Sequence, residues 1–145
     1  MNVNFVLSPT GFLKIGGIVL LVLGLVGYTG VTNSVEAFQL DNGENIAHTV
    51  LGVAGIAIGF GLKNEQLHRW VVGALLALGI VATLWSLFNT SGAFVSGTGF
   101  TNPNAGFTNL ENPADTVLHL VVSAWAAVAV FWRGAAAAMP AASRG

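Results

Sequence analysis

Cysteine is missing from this chain and charge is scarce. Without cysteine there is no disulfide framework, no thiolate metal site and no cysteine nucleophile. Charged residues make up 8 % of the 145 positions, against about a quarter in a soluble domain. That is too little to cover a water-facing surface, which excludes an ordinary soluble globule and a disordered tail. Five Lys and Arg against six Asp and Glu leave a net charge of −1. A basic nucleic-acid-binding face is therefore excluded, as is a strong field that would steer a charged partner. There is also no nucleophile elbow, P-loop or HExxH motif, so the reading is non-enzymatic.

Apolar residues, by contrast, make up 54 % of the chain, and its mean hydropathy is +0.74. They fall into four blocks, at about 11–32, 44–62, 67–88 and 115–132. Each is close to the roughly 20 residues that a helix needs to cross a bilayer core. The runs are continuous and not alternating, and a barrel would need many more spans. The expected fold class is an all-α integral membrane bundle of four transmembrane helices. It would occupy residues 1–134, with an outer loop at 89–114 and a small-residue tail at 135–145.

Four crossings put Lys14, Lys63, Arg69, Arg133 and Arg144 on one side. Glu36, Asp41, Glu44, Glu111 and Asp115 fall on the other, and Glu65 alone breaks the split. The positive-inside rule then predicts a multi-pass protein with both termini cytoplasmic. The expected location is a prokaryotic inner or photosynthetic-type membrane. Trp70 and Trp132 would lie at the inner interface, Tyr28 and Trp85 at the outer one. A cleaved signal peptide over the first block is the competing reading, but no A-x-A site follows it.

The first and third blocks match at an offset of 55 residues, pairing Lys14 with Arg69, Leu20 with Leu75 and Gly24 with Gly79. The second and fourth match at an offset of 71, pairing Asp41 with Asn112, Glu44 with Asp115 and His48 with His119. Gly52, Gly55 and Gly59 then correspond to Ser123, Ala126 and Val130. The pattern predicts two parallel helical-hairpin repeats. Chance similarity competes strongly for the first pair and weakly for the second, since ionisable residues are rare in spans.

Both second helices open as cap–x–x–acid, with Asp41 and Asn112 as N-caps and Pro113 at the first helical position. Each histidine follows its acid by four residues, so Glu44–His48 and Asp115–His119 can each form a hydrogen-bonded pair. Seven residues from the cap put each ring about 10 Å along its helix, where an ionisable group should face the bundle interior. Gly52, Gly55 and Gly59 continue the His48 stripe, and Ser123 and Ala126 that of His119. Both read as helix-packing faces that could meet each other.

Asn45-Ile46-Ala47-His48 with Val50-Leu51-Gly52, and Asp115-Thr116-Val117-Leu118-His119, carry a resemblance. The chain resembles the four-helix bacterial and archaeal membrane proteins of the domain-of-unknown-function 4383 family, over all but the long outer loop and the tail. A glycine often follows the second histidine in that pattern, where this chain has Val121-Val122-Ser123. The resemblance implies a fold and no activity.

Four roles remain open for His48 and His119. As polar glue they would bond their own acids and hold helices together. As axial ligands they would hold a haem or chlorophyll-type tetrapyrrole, with Glu44 and Asp115 behind them and room for the flat ring over Gly52 and Gly55. With Glu44 and Asp115 as ligands they would form a metal site, although bundle sites use Glu-x-x-His and this spacing is acid-x-x-x-His. As titrating groups they would gate or carry protons, although the inner half of the spans has no chain of ionisable residues. The leading reading has no cofactor: a small accessory or structural subunit in the lipid bilayer, packing against other membrane subunits or itself. In that reading His68 lies solvated or at headgroups in the inner link, and Trp125 is core or lipid-facing.

Overall fold

The computed structural model describes residues 2–31, 40, 42–88 and 114–131, with side chains except at 86–88 and 114–115. The outer-loop phenylalanines 94, 100 and 107, the caps Asp41 and Asn112, Pro113, Trp132 and Arg133, and the tail lie outside the described residues. Every described element is a helix: α1 (Val3–Val6), α2 (Pro9–Gly27), α3 (Asn42–Gly61), α4 (Glu65–Phe88) and α5 (Ala114–Phe131). Three of the four apolar blocks match their helices to within two residues at each end.

The first block differs. Its helix starts at Pro9, because Ser8 caps it: the Ser8 side chain accepts from Gly11 N, and proline suits the first turn. It stops at Gly27, and Gly30 takes a φ of 73° that ends the helical run before Thr32. The sequence also gave no sign of α1. That short helix is capped by Asn2 and fixed from outside, because Trp125 Nε1 donates to Val6 O at 2.9 Å.

Helices α2 and α3 form one antiparallel pair, and α4 and α5 form a second. Helix α2 also packs on α4 and α5, so it joins the two pairs. The first pair is held by backbone proximity. A Cβ on Gly17 would fall 2.8 Å from Ile56 N, and one on Gly55 would fall 3.1 Å from Gly17 Cα. A side chain at Gly17 would force the helices apart and one at Gly55 would press on the α2 backbone, so the helices approach as small-residue stripes do. Between the pairs lies a side-chain core of Phe12, Leu13, Val72, Ala126 and Ala129. Trp125 tilts onto Phe12 there, with ring centroids 4.5 Å apart.

Two helical segments, Pro9–Gly27 and Glu65–Trp85, are long and apolar enough to cross a membrane. In the other two long helices the apolar run is interrupted or short. Glu44, Asn45 and His48 occupy the first turns of α3, and the apolar part of α5 is confined to Thr116–Phe131.

Candidate functional site

Polar side chains gather at both ends of α2, about 21 Å apart by helical rise from Thr10 to Gly24. The end near Gly24 carries the acid–histidine motif of α3. Asn45 is 2 % exposed and Glu44 8 %. A Cβ on Gly27 would overlap the Asn45 amide, so glycine there makes room for a polar side chain rather than for another helix backbone. One turn on, His48 comes within electrostatic range of His119 on α5.

The packing stripes beneath them are used differently from the expectation that they meet. Gly52 and Gly55 lie against Leu21 and Gly17 of α2, and Gly59 lies against Leu13 and Lys14. Ser123 faces Gly79 of α4, and Ala126 joins the central core. The α3 stripe thus faces its hairpin partner α2, whereas the α5 stripe meets α4 at Ser123 and the core between the pairs at Ala126. The reason is steric: a glycine stripe gains most dispersion energy where a second backbone can reach it, and the sequence-adjacent helix does so here. The backbone of α2 also takes the space over Gly52 and Gly55 that a flat ring would need.

Four buried polar atoms at this end have no hydrogen-bond partner: Asn45 Oδ1, His48 Nδ1, Thr49 Oγ1 and Ser123 Oγ. Through Nδ1, at least, His48 does not bond Glu44. Buried polar groups are nearly always paired, so this cluster has unused hydrogen-bonding capacity. Among the described residues no three His, Asp or Glu groups converge to hold a metal ion. The Asp115 side chain lies outside the described residues, and with it the Asp115–His119 pair and the four-residue metal set.

The other end is the part that sequence reasoning missed. His68 is 1 % exposed, not solvated. Its Nδ1 lies 2.7 Å from Thr10 Oγ1, and its Nε2 lies 3.2 Å from Ile58 O. Thr10 Oγ1 also lies 2.7 Å from Glu65 Oε1. The burial follows from chain geometry. Only residues 62–64 separate α3 from α4, and Asn64 Oδ1 caps α4 by accepting from Leu67 N at 3.0 Å. The first turn of α4 is thereby held beside the last turns of α3. His68 stands one turn before Val72, which is fully buried, so both lie on the inward face. That i, i+4 relation to an apolar core position was the available signal.

Two further bonds close this end. Arg69 Nη1 donates to Val130 O at 2.6 Å, giving a cation to a carbonyl in the last turn of α5. Lys14 Nζ stands 4.5 Å over the Phe60 ring, at the end of α3.

Compared with protein-family profiles, with curated proteins and with solved structures, the chain has no match in any of the three.

Proposed function

We propose that the chain is a four-span integral membrane protein that acts without catalysis, as an accessory subunit packing against other membrane proteins or copies of itself. One observation carries this reading: the bundle is inside-out. Its exterior is aliphatic on all four long helices, with Val19 57 % exposed on α2, Val50 59 % on α3, Leu78 59 % on α4 and Val121 60 % on α5. Its interior holds Glu44, Asn45, His68, Thr83 and Ser123 beside the apolar core of Phe12, Leu13, Val72, Ala126 and Ala129. Water would favour the opposite arrangement, because exposed apolar patches of this extent mark contact with lipid or another protein. Lipid favours this one, since polar groups in spans turn to the bundle interior.

The hairpin duplication is also supported by matched contacts. Lys14 reaches the end of α3 at Phe60, and Arg69 reaches the end of α5 at Val130. These are repeat-related basic residues, and their targets lie within one residue of repeat-related positions. Both termini are proposed to be cytoplasmic, with Trp70 at the inner interface and Tyr28 and Trp85 at the outer one; all three are exposed.

Expression with terminal tags tests this reading. The chain should stay with membranes after alkaline washing, both tags should be shielded from protease in intact cells, and larger membrane subunits or a defined homo-oligomer should co-purify in mild detergent. Release into the soluble fraction would refute it.

A second reading rests on the orphaned His48 Nδ1: a haem or chlorin held by the two imidazoles, away from the Gly52–Gly55 face that α2 occupies. A visible absorption spectrum decides this. A Soret or chlorin band lost in His48→Ala and in His119→Ala would favour the cofactor reading over the accessory one.

A further inference from the structure

The Thr10–Glu65–His68 cluster holds more acceptors than one hydroxyl can serve. His68 Nε2 faces the Ile58 carbonyl, which can only accept, so Nε2 carries a hydrogen and donates. Thr10 Oγ1 then sits 2.7 Å from each of two atoms, Glu65 Oε1 and His68 Nδ1, and has a single hydrogen. If that hydrogen goes to an ionised Glu65, the His68 contact requires a hydrogen on Nδ1, hence an imidazolium. If it goes to a neutral His68, the Glu65 contact requires a protonated carboxyl group. Both complete arrangements contain the same extra proton. They differ only in which end holds it.

We propose that Glu65, Thr10 and His68 form a proton-exchange site. The exposed carboxyl group of Glu65 takes a proton from water and the buried imidazole receives one through the threonine hydroxyl. In the transfer, the proton on Glu65 Oε1 moves to Thr10 Oγ1 as the hydrogen of Thr10 moves to His68 Nδ1. The hydroxyl ends with one hydrogen, as it began. Glu65 becomes a carboxylate and His68 an imidazolium. Charge is conserved within the cluster, and no group beyond the three and the water at Glu65 takes part.

The surroundings isolate this exchange. Residues 50–61 of α3 contain no charged residue and no histidine, so that helix offers His68 the Ile58 carbonyl. From α2, Lys14 is turned to the Phe60 ring. On α4, Arg69 is committed to Val130 O. Lys63, in the link, is exposed. On α5, His119 lies at the far end of the bundle with His48, which is ten residues and about 15 Å along α3 from Ile58. Among the described residues, Glu65 is therefore the carboxylate that communicates with His68.

The exchange also acts on packing. Thr10 belongs to α2, Ile58 to α3, and Glu65 and His68 to α4, so one shared proton completes a set of bonds across both hairpins. When the site loses it, the single hydroxyl hydrogen serves one acceptor and the other contact lapses. Proton occupancy then sets how firmly α4 is held to α2.

The test uses the full chain, labelled with 15N-histidine, in lipid nanodiscs, with exchange of the ring hydrogens with water read by NMR. The site predicts that His68 Nδ1 carries an exchanging hydrogen while Nε2–H exchanges slowly. In Thr10→Val, Nδ1 exchange should slow by about tenfold or more with Nε2 unchanged, and Thr10→Ser should retain the fast rate. Glu65→Gln should slow Nδ1 exchange similarly, and it decides the matter if Thr10→Val fails to fold, because Glu65 is exposed. Equal exchange at the two nitrogens, or Nδ1 exchange indifferent to both Thr10→Val and Glu65→Gln, would overturn the proposal.

Discussion

The two ends of α2 carry polar clusters of similar size that have been finished differently. At the Thr10 end each polar atom of His68 has a partner: Nδ1 meets a hydroxyl and Nε2 a carbonyl. At the Gly24 end Asn45 Oδ1, His48 Nδ1, Thr49 Oγ1 and Ser123 Oγ have none. Away from water an unmade hydrogen bond costs about 1–3 kcal/mol, so the first cluster is a closed piece of architecture and the second is open to a further partner. The difference separates polar groups already bonded within the bundle from polar groups with spare hydrogen-bonding capacity. The motif conspicuous in sequence is the unfinished one. The inconspicuous histidine is the one that ties the helices together.

Several substitutions would sharpen or break this contrast. The largest effect is expected where the open cluster meets α2: Gly27→Val drives a branched side chain into the Asn45 amide and should destabilise the bundle by about 3 kcal/mol, read as loss of protease resistance in detergent. Next comes the closed cluster. His68→Leu leaves Ile58 O and one side of Thr10 without the ring and should cost about 1–3 kcal/mol in reversible unfolding in mixed micelles. Ser123→Ala deletes a hydroxyl that bonds nothing and should be neutral, or stabilising by up to about 1 kcal/mol. A clear loss of stability there would mean that a bound group uses that hydroxyl. Arg69→Lys trades a directed guanidinium for a point charge and should cost about 0.5 kcal/mol or less. If Ser123→Ala were to cost more than His68→Leu, the two ends would have been read the wrong way round.

Helix positions were legible because continuous apolar runs bounded by polar turns leave little choice of element. Residues 44–62 and 67–88 map onto α3 and α4 for that reason. The end of α2 was not, because Tyr28 and Val31 carry apolar character beyond the helix, and the left-handed Gly30 is one glycine among 19. Nor was α1, which has four residues and is held by Trp125 from the far end of the chain. In the site, the repeated acid–histidine spacing was enough to place His48 near the start of α3 and His119 near the start of α5. It was not enough to say what lies opposite their small-residue faces, because Gly52 and Ser123 would suit either an intrahairpin or an interhairpin neighbour. His68 was missed because flanking charges, Glu65 and Arg69, suggest a solvated link. Those same charges turn out to be engaged, Glu65 with Thr10 and Arg69 with Val130.

The inside-out bundle is the claim on which the remaining readings depend, and the lack of cysteine makes it open to direct measurement. Single cysteines at Val19, Val50, Leu78 and Val121 can carry nitroxide labels in reconstituted vesicles, with collision rates measured against oxygen and against a water-soluble nickel chelate. All four positions, one on each long helix, should lie in oxygen-rich, chelate-poor environments. High chelate accessibility at Val50 and Val121, on α3 and α5, would contradict it: those two helices would then face water, and the protein would cross the membrane at most twice.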